Sequence, residues 1–133
     1  MSADTSGVRP VSQTRTSEYY VREDGIIVQS VITPGTLTLD DAKANMRLFE
    51  QLADGAKQRL LVEIAAPYRA EPGVREYYAS EEARRWIAAL AIVTPSIPAR
   101  LIGGLSLRLN RPGYPCRMFG SIARAAAWLL RQR

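Results

Sequence analysis

The sequence predicts an α/β domain: a mixed, mostly parallel sheet with an N-terminal antiparallel hairpin and four helices, in the order ββαβαβαβα. Three observations lead there. Asp24-Gly25 separates two β-branched and aromatic runs, and such a pair favours the tight turn of a hairpin. Beyond it, short apolar runs alternate with stretches of helical periodicity, the pattern of parallel strands joined by crossover helices. Leu60-Leu61-Val62 and Ile64-Ala65-Ala66 form a nearly continuous apolar run, as a strand covered on both faces requires.

The hairpin strands are Glu18 to Arg22 and Ile26 to Thr33, with Pro34-Gly35 ending the second. Thr36-Leu37-Thr38 then opens an amphipathic helix whose buried stripe is Leu39, Ala42, Met46, Phe49 and Ala53. Asp40 and Asp41 fall in its first turn, where the helix dipole favours negative charge, and Gly55 closes it. Arg59 to Ala66 reads as the central strand, and Glu63 within it requires a partner or a strand end.

Pro67 to Ala79 is polar, with Pro72-Gly73 in its middle, and reads as a long loop of the kind that often carries function. Ser80 heads a helix running to Ile87, with Glu81 and Glu82 completing favourable N-terminal chemistry. Ala89 to Thr94 is a short buried strand stopped by Pro95. Ser96 caps the next helix, where Pro98 is tolerated in the first turn. Ile97, Leu101, Leu105 and Leu109 make its apolar stripe, and Gly103-Gly104 permits a close backbone approach. Asn110 and Pro112-Gly113 end this helix. Cys116 to Phe119 is the last strand and Ser121 to Leu130 the last helix. Ile122, Ala125, Ala126, Trp128 and Leu129 are available there for packing, and Arg131 and Arg133 complement the dipole.

With 133 residues, 47% of them hydrophobic, the chain suits one domain and one core. Residues 1–17 are small and polar and read as a loosely held tail; residues 18–133 form the single domain. No apolar run approaches the roughly 20 residues of a membrane span, and no signal peptide is visible. The single cysteine, Cys116, excludes an intrachain disulfide and fits a reducing cytoplasm. A chain without histidine excludes Ser-His-Asp and Cys-His catalysis and histidine-bearing metal sites. Its acids lack the spacing of a cation-binding loop. No catalytic residue, metal ligand or cofactor is expected.

The net charge of +5 permits acidic partners, but the arginines are spread along the chain without a block of like charge. Nucleic acid is accordingly disfavoured as a partner. Gly103-Gly104 lacks the surrounding pattern of a phosphate loop. Trp86 and Trp128 occupy positions suited to core packing.

From Ala89 onward the chain resembles the STAS superfamily, which groups sulfate-transporter cytoplasmic domains with bacterial anti-sigma-factor antagonists. The residues carrying this are Ala91-Ile92-Val93-Thr94-Pro95-Ser96, Leu101-Ile102-Gly103 and Leu107-Arg108-Leu109-Asn110-Arg111-Pro112. Pro115-Cys116-Arg117-Met118-Phe119 and Ala126-Ala127-Trp128-Leu129 complete the match, and Ser80-Glu81-Glu82-Ala83-Arg84 matches a helix start in a group of small uncharacterised bacterial members. The resemblance spans roughly residues 19–130. It implies a regulatory protein-interaction module. In the antagonists a partner kinase phosphorylates a serine at the helix start after the third strand, within Asp-Ser-Ser-Gly or a close variant. Here that motif is missing; Ser80 is the nearest counterpart, and Glu81-Glu82 would repel a phosphate on it.

Two expectations of different class follow. The first is a cytoplasmic, non-enzymatic module with an unidentified protein partner, a candidate phosphosite at Ser80 and a docking surface of Tyr68, Tyr77, Tyr78, Arg84 and Arg85. Tyrosine and arginine favour such surfaces because each combines contact area with a hydrogen-bonding tip. A homodimer is compatible with it. The second is a carrier holding a small apolar ligand or lipid between helix and sheet, with a cavity lined by Met46, Phe49, Trp86 or Leu105.

Overall fold

The computed structural model describes residues 12–109 and 111–132. Along the chain its elements are β1 (Ser12–Gln13), β2 (Ser17–Val21), β3 (Ile27–Val31), β4 (Gly35–Leu37), α1 (Leu39–Ala53), β5 (Gln58–Ile64) and β6 (Tyr68–Ala70). They continue with α2 (Val74–Tyr78), α3 (Glu81–Trp86), β7 (Ile87–Val93), α4 (Ile97–Leu109), β8 (Cys116–Phe119) and α5 (Ile122–Leu130).

The main sheet has the order β1-β2-β3-β5-β7-β8. The β1–β2 and β2–β3 pairs are antiparallel, and all pairs from β3 to β8 are parallel. The expected hairpin is thus present. Gly25 at its turn has φ +89°, a backbone region that a side chain disfavours, and Asp24 Oδ1 accepts a hydrogen bond from the Ile26 amide. The mostly parallel α/β class stands, with α1, α3, α4 and α5 as the four expected helices.

Strand alternation divides the core into two layers. Ile27, Leu60 and Leu90 face α1, packing with Met46, Phe49 and Ala53 and with Ala83 and Ile87. Their sequence neighbours Ile26, Val28, Leu61, Ala89, Ala91 and Val93 face α5, packing with Ala125, Ala126 and Leu129. Fully burying a side chain such as Phe49 or Met46 contributes roughly 1.5–3 kcal/mol each. Trp86 packs against the first layer and Trp128 against the second, as expected of core tryptophans.

Local chemistry sets the helix ends. Thr38 and Asp41 form a reciprocal capping box at the start of α1, and the helix ends at Asp54, with φ 54°, one residue before the glycine expected there. Ser96 Oγ accepts from the Ala99 amide at 3.2 Å and Ser121 Oγ from the Arg124 amide at 3.3 Å, capping α4 and α5. Glu63, the acid inside the central strand, accepts from Ser30 Oγ on the neighbouring strand at 3.0 Å.

Several features differ from the sequence expectation. The Pro67–Ala79 stretch is not a bare loop: β6 pairs in parallel with β4 as a second small sheet, and α2 follows it. Isolated three-residue strands carry too little periodicity to be read from sequence. The segment 1–17, expected as a tail, lies partly outside the described residues, namely 1–11; the remainder is structured, with β1 on the sheet edge and Ser17 fully buried. Asn110 and Arg133 also lie outside the described residues, as does the Leu109 side chain. The apolar stripe of α4 is turned outward: Ile97, Leu101 and Leu105 are 62%, 70% and 59% exposed. What α4 presents to the sheet is its glycine: a Cβ on Gly103 would stand 2.9 Å from Met118 Cε of β8, close enough that the flexible methionine side chain would have to shift, while Gly104 faces open space.

Candidate functional site

Of the residues expected to form a docking surface, Tyr77 and Tyr78 meet on α2, while Arg84 and Arg85 are exposed on the following helix α3. Helix α2 drops Tyr77 and Tyr78 onto the first core layer, with their rings 5.8 Å apart in an edge-to-face arrangement. Both are half-buried. Tyr68, on β6, stays 37% exposed. The Tyr78 backbone carbonyl accepts from the Tyr114 hydroxyl at 2.8 Å, tying the connection before β8 to this helix. Tyr19, fully buried, donates from its hydroxyl to the Asn45 carbonyl at 3.2 Å.

Electrostatics link the same residues. Burial pushes the Tyr78 hydroxyl well up from its ordinary value, with Tyr68 and Tyr77 adding to the shift. Burial likewise raises Tyr19 and Tyr114, each with a further contribution from Tyr78. Tyr77 is pushed up to about 12 by burial and then by the Glu82 carboxylate; its hydroxyl is buried without a hydrogen bond of full geometry. Tyr19, Tyr68, Tyr77 and Tyr114 thus each act on, or are acted on by, Tyr78, and all five stay neutral phenols at any physiological pH. Such groups hydrogen-bond and pack; they are poorly matched to general acid–base work near neutrality.

Ser80 lies between α2 and α3. Its Oγ accepts from the Ala83 amide at 3.4 Å, so it serves as the cap of a six-residue helix. Arg84 and Arg85 are exposed on that helix. Arg84 leans across Gly113, where a Cβ would come within 2.6 Å of its Cδ. It borders a cavity of about 570 Å³ shared with Lys57, Arg59 and Tyr114. Arg59 has a structural task there, donating to the carbonyls of Leu129 and Gln132 at 2.7 Å each, where a cation complements the C-terminal end of α5.

A second feature escaped the sequence reading. A groove of about 850 Å³ runs along the free edge of β8, between α4 and Trp128 of α5. Leu101, Leu105, Leu107 and Met118 supply apolar walls, and Arg100, Arg108, Arg111 and Arg117 supply charge. The signal was present in the sequence: all 13 acidic residues end at Glu82, while nine of the 18 basic ones, all arginine, lie beyond it. The overall charge of +5 conceals this division. Cys116 also borders the groove, with its thiol pushed up to about 12 by burial, which leaves it protonated and unreactive.

Among the described residues no three His, Cys, Asp or Glu side chains converge as a metal site, and no helix is long and apolar enough to cross a membrane. Met46 and Phe49, named above for a carrier's cavity, are each 1% exposed inside the packed core, while Leu105 borders the open groove.

The sheet order, the antiparallel edge and the helix layers define a SpoIIAA-like α/β domain. The structure superposes on an uncharacterised protein of the DUF3478 family with a SpoIIAA-like fold from Shewanella loihica PV-4, with a TM-score of 0.61. The match covers 90% of this chain and 98% of that one at 14% identity, so it shows shared fold. No curated protein matches the sequence. Residues 19–133 match the family model of DUF7793, a domain of unknown function, and the chain belongs to that family.

Proposed function

We propose that this chain is a non-catalytic regulatory module that recognises a partner protein through the surface formed by β6, α2 and α3. The observation that carries the reading is the tyrosine cluster. Tyr78 is packed edge-to-face with Tyr77 and tied to Tyr114 by a hydrogen bond, with Tyr19 and Tyr68 close enough to interact with its hydroxyl. The exposed Tyr68 ring and the exposed Arg84 and Arg85 of the following helix are free to meet a partner. Side chains anchored in this way lose little entropy on binding, and tyrosine and arginine are the residues on which interface energy concentrates. Ser80 serves the surface as a cap. Its phosphorylation is a separate element of the proposal, supported by its place at a helix start and opposed by the adjoining carboxylates.

The test is affinity capture from the source organism with the wild-type chain and with an Arg84→Glu/Arg85→Glu variant. Both arginines are exposed, so the variant keeps its fold, which circular dichroism verifies. The wild type should retain a partner that the variant loses by about tenfold or more. Equal recovery by both proteins removes this surface as the recognition site. Intact-mass measurement on protein from the native host reads the phosphate directly.

A further inference from the structure

Helix α4 is apolar on the side turned away from the molecule. Ile97, Leu101, Ile102 and Leu105 are 62%, 70%, 72% and 59% exposed, the largest exposures of any large hydrophobic side chains among the described residues. Ile97, Leu101 and Leu105 recur every fourth residue and so form one ridge, gently inclined to the helix axis. The inner side is apolar as well, through Gly103 against Met118. A helix apolar on both sides calls for cover on both sides, and the sheet supplies one.

The surrounding charge states what kind of cover fits. Arg108, Arg111 and Arg117 are exposed around the ridge and groove, and no acidic residue occurs in the chain after Glu82. A symmetric dimer through this face would set arginine against arginine. A head-to-tail copy would have to offer apolar surface from the acidic half, where the exposed apolar side chains Val21, Ile32 and Tyr68 are isolated on separate segments. Nucleic acid would satisfy the arginines but leave four aliphatic side chains in water. An anionic lipid surface satisfies both: it takes an apolar ridge lying flat, and its phosphates take guanidinium groups in bidentate hydrogen bonds.

We propose that the α4–β8 face docks onto an anionic membrane surface, with Ile97, Leu101, Ile102 and Leu105 entering the headgroup boundary and Arg108 and Arg111 holding lipid phosphates. The helix is about 20 Å long, of the order suited to lying within an interface and too short to cross one. Tyr114 borders both this groove and the tyrosine cluster, but none of the side chains assigned here belongs to that cluster, and neither assignment depends on the other.

The experiment is flotation of the full chain with vesicles of phosphatidylcholine alone or of phosphatidylcholine and phosphatidylglycerol in equal parts. The chain should float with the anionic vesicles, remain behind with the neutral ones, and release as salt is raised. Leu101→Ser/Leu105→Ser should lose flotation. Arg108→Gln/Arg111→Gln should bind roughly thirtyfold more weakly. All four positions are exposed, and unchanged melting temperatures verify that the variants fold. Equal flotation with neutral vesicles, no flotation with anionic ones, or unaltered binding by both variants overturns the proposal. So does a soluble acidic protein from the native host that occupies α4 while anionic vesicles do not.

Discussion

Arg15 and Asp41 are joined across 26 positions of sequence, the Arg15 Nε donating to Asp41 Oδ1 at 2.9 Å. Asp41 Oδ2 also accepts from the Thr38 amide and hydroxyl, each at 2.9 Å, so one carboxylate both completes the α1 cap and anchors the chain that enters β2. Arg15 lies in the segment that its composition suggested was a tail.

This contact sets an acid limit on stability. The Arg15 hydrogen bond, with help from Thr38, holds the Asp41 carboxyl far below its ordinary 3.8 despite an opposing cost of burial. A group whose pKa is lower in the folded state stabilises the fold fully above its unfolded value and loses that contribution as pH falls through the folded one. Thermal melts from neutrality down to about pH 2 should therefore decline below pH 4 or so, and Asp41→Asn should lower the neutral melting temperature while flattening that decline. Parallel curves for the two proteins would show that Asp41 does not govern the acid limb.

Asn45, on α1, organises a buried polar chain. Its Oδ1 accepts from Thr14 Oγ1 at 2.6 Å, its Nδ2 donates to Thr16 Oγ1 at 3.2 Å, and Thr16 continues through Ser17 to Gln29. Replacing Asn45 with alanine removes the acceptor of the Thr14 hydroxyl and one of the two partners of the Thr16 hydroxyl, and should cost about 2 kcal/mol in urea unfolding. Hydrogen exchange should rise first in residues 12–17, and a uniform rise across the sheet would contradict this placement.

Gly104→Ala is expected to stabilise the fold. The position is helical, a Cβ there would meet nothing within 4 Å, and alanine loses less backbone entropy than glycine in a helix. A gain of up to about 1 kcal/mol in urea unfolding should result. Gly103→Ala should gain less, because Met118 must first move aside. A larger gain at Gly103 than at Gly104 would contradict the seating of α4.

Cys116 should resist alkylation. With its thiol pushed up to about 12, almost no thiolate exists near pH 8, and iodoacetamide labelling of the native protein should be far slower than of the protein in urea. Equal labelling rates in the two states would show the thiol to be accessible and ionised.

The sequence by itself determined the hairpin at Asp24-Gly25, the mostly parallel character of the strands beyond it, and the helix starts near Thr38, Ser80, Ser96 and Ser121. These follow from turn chemistry, capping oxygens and periodicity, all set within a few residues. Tyr68, Tyr77 and Tyr78 were legible as a group, but their division into half-buried Tyr77 and Tyr78 and the more exposed Tyr68 was not. The same holds for α1 and α4. Both show an apolar stripe, yet Met46 and Phe49 enter the core while Leu101 and Leu105 face outward. Periodicity establishes that a helix has an apolar side; what lies opposite that side depends on where the sheet ends. Because β8 is the last strand and Gly103 the seat of α4 upon it, only the tertiary structure left that ridge open.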